Sequence, residues 1–423
     1  MPDAVPSTNW ARNVTFAARA RHRPAGVAEL QELVAHSSRL RVLGTGHSFN
    51  RIADTTGDLV SVAGLPPVVR IEGTSVTVSA GMAYGELAEH LHRAGFALRN
   101  LASLPHICVA GACATGTHGS GNCNASLAAS VSAVEFVRAS GELVRLGRGD
   151  DGFRGAVVAL GCLGVLTSMT LDVVPTFELR QQVYLDLAFD QLVGHFDEIF
   201  GCAYSINVFT NWRESAFRVW VISLDDAGSE VPLSLGATPA TEPQHPIPGA
   251  AADNCTVQGG VPGPWHERLP HFRPDLTPSV GDELQSEYLI AYADGPAAIE
   301  AIGRVRSQVA PALLTGEIRT VAADDLWLSP SYGRDSVAFH FTWVKDDDLV
   351  RPAITALESA LAGFDARAHW GKLFSVEPAL VQRQYERLPD FRRLMAEYDP
   401  HGKFGNELVE RYLSDPDADQ VAD

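Results

Sequence analysis

The residues best suited to chemistry lie in two alternating runs. In "VAFHFTWV" (337–344), strand periodicity places Ala338, His340, Thr342 and Val344 on one face and Phe339, Phe341 and Trp343 on the other. In "LTGEIRTVA" (314–322) the same period gives Glu317 and Arg319 a common face, with Thr315 beside them. A carboxylate, a guanidinium, an imidazole and hydroxyls on two such faces suit a polyhydroxylated ligand, because each buried hydroxyl needs a partner. The aromatic face calls for a core. The polar face then meets either a cavity or, as in many antiparallel sheets, solvent. Lys372 in "AHWGKLFSV" has a similar double reading. Its head either reaches into water from a buried stem or sets a cation against a substrate hydroxyl or a flavin.

Two glycine-rich stretches could cradle a cofactor. "RVLGTGHSFN" (41–50) ends a short apolar run and sets His47 at a turn kept bare by Gly44 and Gly46. "VAGACATGTHGSG" (109–121) is small at nearly every position, which lets backbone N–H groups approach an anion closely. No lysine follows it to neutralise a triphosphate, so a diphosphate fits better. Each stretch alone reads equally well as a packed turn; two in one unit point to a nucleotide cofactor. Neither is the dinucleotide fingerprint of a doubly wound sheet, since the third glycine is missing and "FNRIADTTG" does not read as a helix.

Other motifs fail. In "HERLPH", His266 and His271 stand five apart with Pro270 between them, which excludes the paired histidines of a zinc-protease helix. No G-x-S-x-G elbow occurs, and "HGKFG" and "WGKLF" do not continue to the Ser/Thr of a phosphate loop. No metal site is expected.

The elements that must hold these residues fall into two styles. "GVAELQELVAHS" and "AYGELAEHLHRAGFAL" read as amphipathic helices. "LRVLGTG", "DLVSVAGL", "VVRIEG" and "SVTVSAG" read as short strands, and "SAVEFVRASGELVRLG" as a hairpin turning at Ser-Gly. From about residue 176 the segments lengthen. Residues 226–282 are rich in proline, glycine and acid and read as long loops, either a substrate wall or plain surface. Strand-like runs "SEYLIAYAD", "LTGEIRTVA" and "SVAFHFTWV" follow, then a helical segment and "DPHGKFGNELV".

Composition sets the outer bounds. The 423 residues are 46% hydrophobic, enough for a large core and more than one domain. A formal net charge of −18 argues against nucleic acid or an anionic membrane as partner. The six cysteines form no C-x-x-C pair and read as free thiols in a reducing compartment. "MPDAVPSTNW" lacks a signal-peptide pattern and no apolar run would span a bilayer, so a cytoplasmic protein is expected. The acidic tail "SDPDADQVAD" is expected to fray.

Together "RVLGTGHSFN", "ASLPHICVAG", "ATGTHGSG", "EIRTVAAD", "HFTWV", "HWGK" and "DPHGKFGN" resemble the alditol oxidases of the vanillyl-alcohol oxidase flavoprotein superfamily. The resemblance runs from "TNWARN" to "GKFGN", nearly the whole chain. It implies an α+β, two-domain flavoprotein: an FAD-binding domain of the vanillyl-alcohol oxidase type over 1–175, a mixed α/β substrate (cap) domain over 176–380, and a C-terminal return to the first domain over 381–423. It implies a covalent bond from His47 to the flavin 8α-methyl. The cofactor set it implies is Gly44, Thr45, Gly46, His47, Ser48, Phe49, Ser103, Cys108, Gly111, Thr115, Gly116, Thr117, His118, Gly119 and Val165. Ser103, Glu317, Arg319, Thr342 and Lys372 would bind the polyol. Lys372 and Arg319 would polarise the reacting hydroxyl, and His340 or Lys372 would take its proton. The implied reaction passes hydride from a terminal CH–OH of xylitol or sorbitol to flavin N5, with oxygen reduced to hydrogen peroxide by a monomeric enzyme. An aldonolactone oxidase or dehydrogenase of the same superfamily is the near alternative. A non-catalytic flavin- or sugar-binding protein is the distant one.

Overall fold

A computed structural model describes residues 5–213, 216–224, 235–275 and 281–415. Most of the acidic tail (416–423) and parts of the loop-rich region (225–234 and 276–280) lie outside the described residues.

The first core grows from the N-terminal helices. Leu30 and Val34 bury one face of Val27–His36, and Tyr84, Leu87, Ala88 and Leu91 bury one face of Tyr84–Arg93. This i, i+3, i+4 spacing is what an amphipathic helix needs. Beside them a small parallel sheet sets Asp58–Val60 between Ala20–His22 and Leu40–Val42. "DLVSVAGL" is a strand only as far as Val60; a 3-10 turn, Val62–Gly64, takes the remainder. A five-stranded antiparallel sheet runs in the order Val69–Glu72, Ser75–Ser79, Val165–Asp172, Val131–Val137, Leu143–Gly147. The hairpin joining the last two turns at Gly141, where φ is +86° and a Cβ would lie 2.8 Å from Gln31 O.

A second core lies under a nine-stranded antiparallel sheet. Its central order is Ala216–Leu224, Ser205–Thr210, Leu313–Val321, Ser336–Val344, Glu283–Ala291. One face carries Val208, Ile318, Phe339, Phe341, Trp343 and Tyr288 and packs on Leu192, Phe196, Ile299, Ile302 and Leu357 from the covering helices. Trp343 is fully buried, and its Nε1–H is satisfied by Ser286 Oγ at 2.8 Å. The aromatic face of "VAFHFTWV" therefore anchors the sheet. The opposite face turns toward the first unit.

The chain then returns. Val381, Phe391, Leu394, Phe404 and Leu413 join the first core. Asn406 Nδ2 donates to the carbonyls of Arg51, Ile52 and Asp54, each at 3.0 Å, so "GKFGN" fastens the segment that follows His47.

Candidate active site

One cavity of about 300 Å³ runs between the two units. At one end its walls are the two glycine-rich stretches; at the other they are the polar sheet face. The closeness of the glycine end is measurable. A Cβ on Gly44 would lie 2.5 Å from Cys108 Sγ, and one on Gly111 would lie 2.9 Å from the same atom. Gly46 takes φ +75°, which lets the chain turn beneath His47. The His47 ring stacks on Trp10 at 4.9 Å, and Trp10 N donates to Gly46 O at 2.8 Å. Burial, aided by nearby His106, lowers the His47 pKa to about 4 and leaves the imidazole neutral.

Backbone bonds bring the two ends together. Phe49 N donates to Gly371 O at 2.8 Å, and Asn50 Nδ2 donates to the carbonyls of Trp370 and Lys372, both at 2.8 Å. The segment carrying His47 thus fixes the turn carrying Lys372. On the other side Gly121 N donates to Thr320 O, and Ala322 N to Asn124 O, both at 3.0 Å. These bonds tie the second glycine stretch, with His118, to the strand of Glu317 and Arg319.

The polar face is a grid set by strand register. Gln285, Thr342 and Thr315 lie abreast on three strands; Glu287, His340 and Glu317 form the next row. Arg319 lies one row further, opposite Ala338. A residue as small as alanine leaves the guanidinium free to reach over the middle strand to Glu287. This face is not solvated: His340 is 8% exposed, Thr342 and Glu317 6%, and Arg319 5%.

Its electrostatics centre on Glu287, which is 1% exposed. Lys372 Nζ lies 2.7 Å from Glu287 Oε2 and Arg319 Nη2 lies 2.5 Å from Oε1. Burial would raise the pKa of this carboxyl, but Lys372, then Arg319 and His118, more than offset it and hold it well below the usual range. Lys372 Nζ also reaches His340 Nδ1 at 2.6 Å, and His340 Nε2 meets Thr342 Oγ1 at 3.0 Å. An ammonium only donates, so Nδ1 is the acceptor and Nε2–H donates to Thr342. Burial first, then Lys372, lowers the His340 pKa to about 4. Next to this row His271 Nδ1 meets Ser103 Oγ at 2.9 Å, and burial lowers the His271 pKa to about 3. Among the described residues Glu317 Oε1, Arg319 Nε and His118 Nε2 are buried without a hydrogen-bond partner, although Arg319 Nε lies 3.5 Å from Glu317 Oε2 and His118 Nε2 3.4 Å from Glu287 Oε1. Polar atoms left this way in a cavity wall suit a ligand rich in hydroxyls.

The structure brings together Ser103, Glu317, Arg319, His340, Thr342 and Lys372 on one cavity wall, and Gly44, Thr45, Gly46, His47, Ser48, Phe49, Cys108, Gly111, Thr115, Thr117 and His118 also line the cavity. His118 stands at the polar end, facing Glu287. Three residues of the expected cofactor set lie off the wall. A Cβ on Gly116 would meet Pro330 and one on Gly119 would meet Asn100. Val165 is buried in the first core, cross-strand from Val137. Sequence reasoning missed Glu287, His271 and His369. The signal for Glu287 was present, since Glu283, Gln285 and Glu287 alternate on one strand. His369 stands three residues before Lys372, whose backbone N–H it accepts at 3.0 Å. In the sequence His271 reads only as half of the failed zinc motif "HERLPH". The loop-rich region does supply wall: His245, Pro246, Ile247, His271 and Phe272 line the cavity.

Comparison with known proteins gives a consistent picture. A family model described as FAD binding domain matches residues 16–147, and one described as D-arabinono-1,4-lactone oxidase matches 282–412. The chain is 50% identical over 412 residues to an alditol oxidase of a Streptomyces species, covering 96% of this chain and 98% of that one. It is 28% identical to an L-gulono-1,4-lactone dehydrogenase of Mycobacterium tuberculosis, again over 96% and 98% of the two chains. An L-gulonolactone oxidase of Bos taurus is 24% identical over 95% and 97%. A crystal structure of cholesterol oxidase from B. sterolicum superposes with a TM-score of 0.75 at 15% identity, covering 96% of each chain, which shows a shared fold.

Proposed function

The chain belongs to the alditol oxidase family of FAD-dependent oxidoreductases, and from that premise we propose that it oxidises the terminal CH–OH of sugar alcohols such as xylitol and sorbitol to the aldose. Oxygen is the final acceptor and hydrogen peroxide the second product. The observation that carries this reading is the buried grid of Glu317, Arg319, His340 and Thr342, with half-buried Lys372 beside it, which faces the glycine-rich end across one cavity. A lactone has fewer hydroxyls to satisfy than an open-chain polyol, and the lactone-acting relatives are also the more distant by identity.

The cavity fits FAD. Its glycine end excludes side chains beyond hydrogen at Gly44 and Gly111, offers the hydroxyls of Thr45, Ser48, Thr115 and Thr117, and presents neutral His47. The carrier of the covalent link is His47, and the 176–380 unit acts as the cap over the substrate. Bound there, FAD supplies the hydride acceptor.

The protein's own part is placement and charge. Thr342, Ser103 and Glu317 bind the hydroxyls that do not react. Ser103 Oγ is held by a 2.9 Å hydrogen bond with neutral His271 Nδ1, which fixes the hydroxyl toward the substrate. Lys372 and Arg319 stabilise negative charge on the reacting oxygen as C–H cleavage begins. When the Lys372 ammonium turns from His340 Nδ1 to that oxygen, the imidazole lone pair is freed. His340 is then the proton acceptor, because an ammonium has none to offer. A low pKa suffices, since the two cations on the reacting oxygen make its hydroxyl more acidic and stabilise the alkoxide as the proton leaves. The test is substrate profiling: xylitol and sorbitol should be turned over with peroxide formed, and exclusive turnover of an aldonolactone would refute the reading.

A further inference from the structure

We propose that Glu287 is a positioning residue of this reaction: its buried carboxylate holds the Lys372 ammonium and the Arg319 guanidinium converged on the reacting hydroxyl. The proposal rests on the polyol-oxidising reading above. Glu287 differs from Glu317 in what its oxygens do. Each Glu287 oxygen is taken by one cation, Oε2 by Lys372 at 2.7 Å and Oε1 by Arg319 at 2.5 Å. Glu317 Oε1 has no hydrogen-bond partner among the described residues. Glu287 therefore acts through its neighbours, while Glu317 has capacity left for a ligand.

The two cations come from separate segments, and Glu287 is where they meet. Arg319 is on the Leu313–Val321 strand, two strands away, and Lys372 follows the short Arg367–Ala368 strand. The same Glu287 strand also holds the lysine's backbone: His369 N donates to Glu287 O at 2.9 Å and Leu373 N to Gln285 O at 2.8 Å. The groups that face this carboxylate from every side are His340 and Glu317 on the adjoining strands, Arg319, Lys372, His369, and His118 from the glycine-rich segment. Glu283, further along the strand, is engaged by Gln285 Nε2 at 2.7 Å.

With His340 and His369 neutral, the Lys372 and Arg319 cations stand beside the Glu287 and Glu317 carboxylates. Loss of Glu287 leaves two buried cations beside Glu317 alone. Arginine cannot shed its proton, so lysine does. Burial lowers the Lys372 pKa and Glu287 opposes that, so removing the carboxylate lowers it further.

Glu287→Gln keeps the shape and deletes the charge. The first measurement is anaerobic flavin reduction by xylitol across pH 6–10. The alkaline limb should move down by about one to three pH units. A lower rate with the parent's pH profile would mark a structural role only and overturn the proposal, as would an unchanged enzyme. The second measurement needs no turnover: the melting temperatures of Glu287→Gln, Lys372→Met and the double variant. Glu287→Gln should melt well below the parent, and adding Lys372→Met should restore part of that loss, because the stranded cation is gone. If Glu287→Gln does not fold, recovery of folding in the double variant supports the proposal, and no recovery overturns it. A parent protein that no polyol reduces would refute the polyol reading, and the melting cycle would still decide the charge contact.

Discussion

Lys372→Met deletes one charge and keeps most of the stem. The parent Lys372 Nζ contacts Glu287 Oε2 at 2.7 Å and His340 Nδ1 at 2.6 Å and is 13% exposed, so it sits in the site and not in water. Two losses follow. The first is in the transition state: a donor aimed at developing negative charge in a dry site is worth about 2.7–4 kcal/mol, or a hundred- to a thousandfold in rate. The second is in stability. Breaking a buried pair costs about 3–5 kcal/mol when the remaining charge is left alone. Here Arg319 still holds Glu287 at 2.5 Å, so the loss should fall below that range. The assay is stopped-flow bleaching of the flavin by saturating xylitol without oxygen, on protein that has passed a melting check. Flavin reduction within about twofold of the parent, a gap of about 0.4 kcal/mol, would refute a catalytic role for Lys372.

Thr342→Val removes a hydroxyl that accepts from His340 Nε2 at 3.0 Å and faces the ligand; a KM increase of about two- to twelvefold is expected from about 0.5–1.5 kcal/mol, and parent-like kinetics on every polyol would place Thr342 outside the site. His47→Ala should move the yellow colour from the acid-precipitated pellet to the supernatant; a parent protein whose colour is already all in the supernatant would remove the covalent bond from the account. His340, at about 4, and His271, at about 3, are both depressed from 6.5, so the unfolded chain binds more protons below about pH 6.5. Their contribution is complete above that pH and is lost as pH falls toward the folded values, at up to about 1.4 kcal/mol per unit for each. The melting temperature should fall steadily from pH 7 to pH 5, less steeply in His271→Gln; equal slopes in parent and variant would contradict a buried neutral His271.

Strand alternation made Glu317, Arg319, His340 and Thr342 legible because the sheet buries both faces for different reasons, aromatic side chains against helices and polar ones against a cavity. What alternation could not supply was which alternative held for the polar face. That depended on a second unit covering it. Glu287 was harder to see because its strand turns fully apolar after it, in "YLIA", and the Glu-x-Gln-x-Glu period is short. Lys372 and His369 lie in a turn, where no periodicity operates; bonds from Phe49 and Asn50, more than three hundred residues earlier, place them. Gly116 and Gly119 show the opposite limit. Their residue type was informative about close packing, but the neighbours they admit are Pro330 and Asn100 and not the cavity.

The most direct measurement is the visible spectrum of the purified protein, taken without oxygen before and after xylitol is added. Oxidised flavin absorbance should be lost on mixing and return on admitting air, with hydrogen peroxide formed in equal amount to the xylitol consumed. A spectrum that xylitol and sorbitol leave unchanged, while an aldonolactone bleaches it, would contradict the account.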